Sequence, residues 1–491
     1  MKQGEPASPE KSGQFFDNLA GIVGFAPNDN AGSLKNYCFK EELEQMSTKS
    51  SMVPSSGGWV ERQFRLKENK TDVRTEVMAG ITTFMTMAYI LFVNPSILAE
   101  TGMPFDAVLM ATAFSAILAT VLMAFLANYP FALAPGMGLN AYFTYSVVFG
   151  MGYTWQTALG AVFISGIVFV LLSLSGIREM IIEAVPATLK SAISAGIGLF
   201  IAFIGVQNAG LVVDDPATML ALGSFSEPAT VLAAIGIIIT GILIARNVRG
   251  AILWGILATT IIGIPMGVTP MPNGFIQIPR FATWAPVFGK LDIRGALGLG
   301  LVEVIFAFLF VDMFDTIGTL IGVSQNAGFL DKDGRLPRAS RALMADAIGT
   351  VAGAFFGTPT VTTYVESAAG VAVGGRTGFA NIITALCFFL SIFFLPIIGI
   401  VPAAATAPAL IVVGAMMLKP VVNIDWNSMD EALPAFIAIA AMPFTYSIAT
   451  GIALGFVVYP IIKLACGKAK EVHWLTYILG VLFVIRFMYL G

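Results

Sequence analysis

Long apolar segments separated by short polar turns run along most of this chain. From Thr75 onward, the segments reach about 20 residues, the length that a helix needs to cross a bilayer. We place candidate spans at 76–98, 106–127, 131–149, 155–175, 188–207, 229–245, 250–268, 297–322, 342–357, 361–375, 378–400, 405–418, 432–446 and 447–465. A further apolar stretch, 474–490, is either an extra span or an interfacial helix. The pattern predicts an all-α polytopic membrane protein with 14 transmembrane spans.

Composition narrows the class of protein further. Only 12% of the 491 residues are charged, against about 25% in an average soluble protein. A net charge of −3 gives no electrostatic support for a nucleic-acid partner. The single histidine, His473, and three widely separated cysteines favour neither a metal site nor a disulfide framework. We therefore expect a lipid-embedded protein without a cofactor or a metal.

The distribution of basic residues predicts the orientation. Lys and Arg mark the cytoplasmic loops of membrane proteins. With the N-terminus inside, the predicted cytoplasmic segments contain most of them, including Lys67, Arg74, Arg246, Arg249, Arg338, Arg341, Lys463 and Lys468. One long outer loop, with Arg280, Lys290 and Arg294, breaks the rule. Residues 1–63 are polar and lack a cleavable leader, so we expect a disordered cytoplasmic extension there. Both termini are expected in the cytoplasm, the C-terminal one only if 474–490 does not span.

Weak internal similarities predict two repeats. Asn140 follows Glu76 at almost the spacing by which Glu366 follows Glu303. Val-Pro-Ala precedes both the fifth and the twelfth span, at 185–187 and 401–403. Seven spans per repeat is an odd number, so the halves must be inverted in the membrane, as in many transporters. We expect a first repeat at 64–270, an extracellular loop at 271–296, a second repeat at 297–466 and a C-terminal tail at 467–491.

The third and tenth spans are predicted to be broken helices. The third contains PFALAPGMGLN, and the tenth begins with TPTVTTYVESAAG, so proline, glycine and β-branched residues interrupt both. Extended backbone is tolerated at membrane depth only where it is buried in protein or lines a cavity. Two short extended segments that meet at the repeat interface would place Asn140 and Glu366 beside a binding site. Proline kinks that serve packing alone are the alternative.

Three carboxylates lie inside apolar sequence without a basic partner. Asp312 and Asp315 occur in IFAFLFVDMFDTIGTLIG, and Glu366 follows the extended part of the tenth span. Charged groups in lipid are costly and usually face a substrate, an ion or a proton. A structural carboxylate that caps a neighbouring helix is the alternative, and for Asp315 the two interpretations are balanced. Glu303 and Asp346 lie near predicted span ends, where we expect them at the membrane interface.

Several of these motifs resemble one transporter family. ITTFMTMAYILFVNP, FALAPGMGLNAYF, FLFVDMFDTIGTLIG, PTVTTYVESAAGVAVGGRTG and ATAPALIVVGAMM are similar to the AzgA-like hypoxanthine/guanine permeases of the nucleobase–ascorbate transporter superfamily. The resemblance implies a core domain (spans 1–4 and 8–11), a gate domain (spans 5–7 and 12–14) and a homodimer in the cell membrane. It also implies proton symport of purine bases, with Asn140, Asp312 and Glu366 binding substrate and Asp315 important nearby.

The chemistry of the candidate residues agrees with a purine substrate. An oxopurine presents an N1–H donor that a carboxylate accepts strongly, and an asparagine both donates and accepts. Phe131, Phe143, Phe310 and Phe314 are candidates to stack on the base, or else pack in the core. Asp312, Asp315 and Glu366 are also the candidates to take up the coupling proton, although sodium remains an alternative.

Three other functions are alternatives to the transport of hypoxanthine and guanine. The chain resembles transporters whose relatives include adenine permeases, so adenine or another nucleobase is an alternative substrate. An anion transporter or channel of the same broad fold would place basic residues or a helix N-terminus where Glu366 stands. An intramembrane enzyme would need a metal-ligand cluster or a nucleophile–base pair, and the sequence has neither. We therefore expect a transporter and not an enzyme.

Overall fold

The computed structural model describes residues 58–489 except 176–184, 273, 299–301 and 332–335. Most of the expected N-terminal extension, residues 1–57, lies outside the described residues. The side chains of Glu303 and Phe314 also lie outside them.

Helices account for nearly all of the described chain. In chain order, α1 to α6 are Trp59–Phe64, Val73–Met87, Ile90–Ala99, Phe105–Leu126, Met137–Ala141 and Trp155–Ser175, with a π-helix at Tyr142–Gly150. Next, α7 to α13 are Ala187–Asn208, Pro228–Ala245, Ala251–Gly263, Phe281–Trp284, Ile293–Ala296, Val302–Ala327 and Ala339–Phe356. Finally, α14 to α20 are Ser367–Val373, Gly378–Ser391, Leu395–Ile398, Ala403–Met417, Met429–Phe444, Ile448–Ala465 and Trp474–Tyr489. The four strands β1 to β4 are Leu133–Pro135, Val212–Asp215, Met219–Leu222 and Val361–Thr363.

The candidate spans coincide with these elements. Each of the 14 segments placed from the sequence overlaps a helix or a strand followed by a helix. Within the described ranges, nine helices are long and apolar enough to cross a membrane. The mostly helical membrane fold is therefore confirmed, and the count of 14 crossings stays a prediction.

The two broken spans contain the predicted extended segments, and these pair with each other. Strands β1 and β4 are antiparallel, with Leu133 opposite Thr363 and Pro135 opposite Val361. The pairing continues beyond the strands, where Gly136 N–H donates to the Thr360 carbonyl at 2.9 Å. All six strand residues are buried. The main-chain polar groups of the two breaks thus satisfy each other, as a lipid-embedded protein requires.

The helices form two bundles. The core bundle comprises α2–α6 and α12–α16 with β1 and β4, and the gate bundle comprises α7–α9 and α17–α20. Helices pack mainly within their own bundle, and α7, α9, α17 and α19 make contacts from the gate bundle to the core bundle. This grouping matches the core and gate domains implied by the family resemblance.

Small residues allow the closest helix contact in the gate bundle. Helices α7 and α17 cross at Gly198 and Gly414, where a Cβ on Gly198 would lie 2.7 Å from the Gly414 carbonyl oxygen. Pro186 and Pro402 cap the N-termini of the same two helices. The matched Val-Pro-Ala motifs therefore occupy equivalent positions, and glycine lets the two backbones approach as small residues do in other membrane helices.

Candidate functional site

The paired strands hold the starts of two short helices together. After β1 the chain enters α5, and three residues after β4 it enters α14. The Ala132 N–H donates to Ser367 Oγ at 2.9 Å, and the Tyr364 hydroxyl donates to the Pro135 carbonyl at 2.5 Å. These contacts between the two broken spans fix the backbone around which the candidate site residues are placed.

Glu366 lies immediately before α14 and is half-buried. The Tyr89 hydroxyl donates to Glu366 Oε1 at 2.5 Å. Tyr89 stands in the break between α2 and α3, and one turn before it Thr86 donates to the Glu366 main-chain carbonyl at 3.3 Å. A hydrogen bond from a hydroxyl to an ionised carboxylate is short and strong. The first and the tenth span therefore meet at this carboxylate.

Asp315 joins Glu366 at the same place. It is half-buried on α12, its carboxylate is hydrogen bonded to the Thr362 side chain, and it lies close enough to Glu366 for electrostatic repulsion. The hydroxyls of Tyr89 and Tyr364 are within electrostatic reach of both carboxylates. Among the described residues, no Lys or Arg forms an ion pair with either carboxylate. The structure thus brings together two acidic groups that lack a basic partner there.

Asp312 lies one layer deeper than Asp315. Its side chain is 1% exposed, and its Oδ2 accepts from the Thr350 hydroxyl at 3.0 Å. That hydroxyl also accepts from the Val361 N–H of β4 at 3.2 Å. Asp312 is therefore connected to β4 through Thr350, whereas Asp315 contacts β4 directly.

Asp346 occupies a different environment from the one expected. Its side chain is fully buried on α13, and its Oδ1 accepts from the Thr316 hydroxyl of α12 at 2.8 Å. Its depth in the membrane stays a prediction, but the side chain is buried within the protein and does not face solvent. Its nearness to a predicted span end in the sequence did not reveal that α12 and α13 exchange two Asp–Thr hydrogen bonds.

Asn140 is the candidate site residue of the broken third span. It lies on α5, its side chain is fully buried, and neither amide atom has a hydrogen-bond partner among the described residues. Buried polar groups in proteins are nearly always hydrogen bonded. An amide without a partner is therefore a candidate for a ligand contact, although Asn140 bonds to neither Glu366 nor Asp315 here.

Three of the phenylalanines that were candidates for base stacking, Phe131, Phe143 and Phe310, pack in the protein interior. Phe131 is fully buried, and its ring centroid lies 5.1 Å from that of Tyr129. Phe310 packs against Phe306 and Phe456, with centroids at 4.6 and 5.7 Å. Phe143 is also fully buried. Two tyrosines interact with the carboxylates instead, Tyr89 and Tyr364, whose ring centroids are 6.5 Å apart.

Sequence reasoning missed Tyr89, Tyr364 and Thr362. All three occur in motifs that carry the family resemblance, ITTFMTMAYILFVNP and PTVTTYVESAAG. A hydroxyl in a long apolar run was the available indication, because a buried tyrosine usually finds a hydrogen-bond partner. The partner itself is not visible in the sequence, since Tyr89 and Glu366 are 277 residues apart.

Two bundles joined around broken helices, with acidic groups at the break, define a multi-pass membrane transporter. Residues 74–454 match a family described as the permease family. The match covers most of the chain, so the chain belongs to the permease family. The resemblance to the nucleobase–ascorbate transporters is thereby confirmed.

The alignments with two relatives cover almost the whole length of each relative. The chain is 46% identical to the guanine/hypoxanthine permease PbuO of Bacillus subtilis over 428 residues, which is 86% of this chain and 99% of PbuO. It is 42% identical to the adenine permease AdeP of Escherichia coli, covering 91% of this chain and 99% of AdeP.

A solved structure shares the fold at low sequence identity. The transmembrane domain of the cyanobacterium bicarbonate transporter BicA aligns with a TM-score of 0.59 at 15% identity. The alignment covers 77% of this chain and 97% of that domain. At this identity the likeness supports the architecture alone.

Proposed function

We propose that this chain imports purine nucleobases, with hypoxanthine and guanine as its preferred substrates. The main observation behind this proposal is that two carboxylates, Glu366 and Asp315, lie together beside the paired strands and have no basic partner among the described residues. The identity to a guanine/hypoxanthine permease over nearly the full chain supports the substrate class. The family membership supports transport rather than an enzymatic reaction.

The hydrogen-bonding pattern of an oxopurine fits these groups. Hypoxanthine and guanine carry an N1–H, and guanine adds an exocyclic amine, so both offer donors to a carboxylate. Glu366 has one oxygen that accepts from Tyr89, which leaves the other for a base N–H. The amide of Asn140 supplies a donor and an acceptor for another edge of the base. In this proposal, Asp312 stabilises β4 through Thr350 and need not contact the base.

Adenine and anions are the two alternative substrate classes to oxopurines. Adenine has an acceptor at N1 in place of the N–H, so a carboxylate favours it less, although the similarity to an adenine permease keeps it in the test. An anion is disfavoured because two acidic groups stand at the break and would repel it. The likeness to a bicarbonate transporter concerns the fold and does not bear on this choice.

Coupling to protons fits the lack of a basic partner. Moving two carboxylates and a substrate through the membrane as net charge is costly, and protonation of one carboxylate removes part of that cost. A proton would enter with the base on one side and leave with it on the other, as the core bundle moves against the gate bundle. We place the protein in the cell membrane with its N-terminus in the cytoplasm, and we expect a homodimer.

Uptake by cells that lack their own nucleobase carriers tests the proposal. We expect accumulation of labelled hypoxanthine and guanine, weaker uptake of adenine, and no uptake of uracil above vector controls. The Glu366→Gln variant, expressed at the same level, should lose the hypoxanthine signal. Bicarbonate or chloride transport without purine transport would contradict the proposal.

A further inference from the structure

Polar side chains of the two bundles meet at the end of the molecule where α3 and α7 terminate. Glu100 follows α3 in the core bundle, and Asn208 is the last residue of α7 in the gate bundle. The Tyr145 hydroxyl of the π-helix donates to Glu100 Oε1 at 2.8 Å. Asn208 Nδ2 lies 3.2 Å from the Tyr145 hydroxyl and 3.4 Å from Glu100 Oε1. One side chain of the gate bundle thus completes a hydrogen-bonded pair of the core bundle.

A second polar contact joins the bundles beside the first. The Ser146 hydroxyl of the core bundle donates to the Tyr446 carbonyl of the gate bundle at 2.7 Å. The Tyr446 hydroxyl in turn donates to Gln207 Oε1 at 2.6 Å. The ring of Tyr446 meets the rings of Tyr145 and Phe200 edge to face, with centroids at 5.9 and 5.6 Å. Tyr446 therefore contacts residues of both bundles.

The backbone at Tyr446 is strained. It connects α18 to α19 with φ of +55°, a left-handed conformation that is uncommon for residues other than glycine and asparagine. Such strain persists only where surrounding contacts hold it, and it often marks a functional position. The contacts to Ser146, Gln207 and the neighbouring rings are those that hold Tyr446.

A cavity opens directly beside these contacts. Its volume is about 540 Å³, within the range of about 300–1,000 Å³ that small-molecule pockets occupy. Its walls come from both bundles: Tyr145, Ser146 and Phe149 from the core, and Tyr446, Ser447 and Thr450 from the gate. Three of the residues that join the bundles, Tyr145, Ser146 and Tyr446, therefore line this cavity.

We propose that six residues form a latch that closes one end of the substrate route. These residues are Glu100, Tyr145, Ser146, Gln207, Asn208 and Tyr446. The latch must separate once in each transport cycle, because the bundles can expose the site to this end only if their contacts there break. Single hydrogen bonds and ring contacts suit such a closure, since water replaces them at a modest net cost. The inference rests on the proposed function, which requires alternating exposure of the site.

Cross-linking across the latch tests whether it has to open. Ser146→Cys and Tyr446→Cys, introduced after Cys38, Cys387 and Cys466 are replaced by serine, should form a disulfide on oxidation because the two residues are in direct contact. We expect hypoxanthine uptake to fall at least tenfold on oxidation and to return on reduction. Full uptake by the cross-linked protein, or failure of the pair to cross-link, would overturn the proposal.

A matched pair within one bundle controls for the chemistry. Thr157 and Asp292 lie at the same end of the molecule, both packed in the core bundle, with Thr157 Oγ1 at 3.4 Å from Asp292 Oδ2. The Thr157→Cys and Asp292→Cys pair should cross-link without loss of uptake, since the core bundle moves as a unit. Equal inhibition by both pairs would contradict a specific role for the latch.

A thiol-labelling assay measures the opening of the latch in the absence of substrate. Thr450→Cys, in the serine background, places one thiol in the cavity wall, and its rate of reaction with a maleimide is measured in detergent. Tyr145→Phe deletes the hydroxyl that accepts from Asn208 of the gate bundle and should speed labelling by about threefold or more, the factor that loss of a hydrogen bond commonly produces. Tyr477→Phe, which deletes a hydroxyl bonded to Ala469, should leave the rate unchanged. An unchanged rate in Tyr145→Phe would overturn the latch.

The outcomes separate the latch from the substrate proposal. If the reduced cysteine pair and the parent protein transport no purine, the proposed function fails, while labelling still reports whether the latch opens. If purine uptake is normal but neither cross-linking nor Tyr145→Phe has an effect, the latch fails alone.

Discussion

The hydrogen bond between Tyr89 and Glu366 is the contact that most clearly organises the site at the scale of single residues. It joins the break in the first span to the break in the tenth, and at 2.5 Å it is at the short end of hydrogen bonds to a carboxylate. Asp315 stands beside it, bonded to Thr362. Tyr89 therefore orients one oxygen of Glu366 and leaves the other for a ligand.

Removing the Tyr89 hydroxyl tests that orienting role. Tyr89→Phe keeps the ring and deletes the donor, so we expect a weaker substrate affinity with little loss of folded protein. Hydrogen bonds to charged groups contribute roughly 1.5–3 kcal/mol, which corresponds to an increase in KM of about tenfold or more. The measurement is hypoxanthine uptake against concentration, with Tyr477→Phe as the control. An unchanged KM would show that Glu366 needs no positioning by Tyr89.

Replacing Asn140 by leucine should separate binding from stability. The buried amide has no partner among the described residues, and an apolar residue of similar size removes a desolvation penalty of about 1–3 kcal/mol. We therefore expect Asn140→Leu to lose purine binding while its melting temperature stays the same or rises. Binding and thermal unfolding of the purified variant are the two measurements. Normal binding with reduced stability would assign Asn140 a structural role.

Residues with an unusual type for their surroundings were predictable from the sequence. Glu366 and Asp315 were found because a carboxylate without a basic neighbour is conspicuous in an apolar run. Tyr89 was missed because a tyrosine in such a run resembles a core aromatic, and its partner is distant in sequence. The sequence favoured a functional role for Asp312 more than for Asp315, but it could not reveal their different depths, which depend on how α12 packs against α13 and β4.

The paired strands are the decisive feature at the scale of elements. Proline, glycine and β-branched residues predicted both breaks and the extended backbone within them, and the structure confirms them. The register of β1 against β4 could not be predicted, because it depends on the packing of spans that are far apart in the chain. Nothing in the sequence indicated that the second half of the third span, Tyr142–Gly150, is a π-helix.

Asp312 should act on this element rather than on the substrate directly. Its carboxylate accepts from Thr350, which also holds the N–H of Val361 in β4. Asp312→Asn weakens a buried, charge-assisted hydrogen bond, so we expect a loss of stability of about 1–3 kcal/mol together with weak uptake. Thr350→Val should produce the same pair of defects. A variant with normal thermal stability but no binding would instead place Asp312 in contact with the base.

The two bundles set the behaviour of the whole molecule. Helices α7, α17 and α19 of the gate bundle contact the core bundle, and the carboxylates belong to the core. In the proposed function, motion of one bundle against the other would therefore carry the acidic groups with the substrate. The apolar pattern, the bundle membership and the family were accessible from the sequence, whereas the contacts that join the bundles at one end, such as Ser146 with Tyr446, were not.

Proton coupling is the expectation at this scale. In proteoliposomes with an inward proton gradient, we expect hypoxanthine to accumulate above its external concentration and the accumulation to collapse with a protonophore. Initial uptake should rise as the external pH falls, because protonation of a site carboxylate is the step that neutralises the loaded carrier. Accumulation that is independent of the proton gradient and requires sodium would contradict proton coupling. The substrate assignment would be unaffected by that result.

The central claim is that purine bases bind at the carboxylates beside the paired strands. Its most direct test is titration calorimetry of the purified protein with hypoxanthine and guanine, comparing the parent protein with Glu366→Gln and with Glu68→Gln, an exposed glutamate outside the site. We predict saturable binding to the parent protein and to Glu68→Gln, and an affinity at least tenfold weaker in Glu366→Gln. Equal affinity in all three proteins would contradict the account.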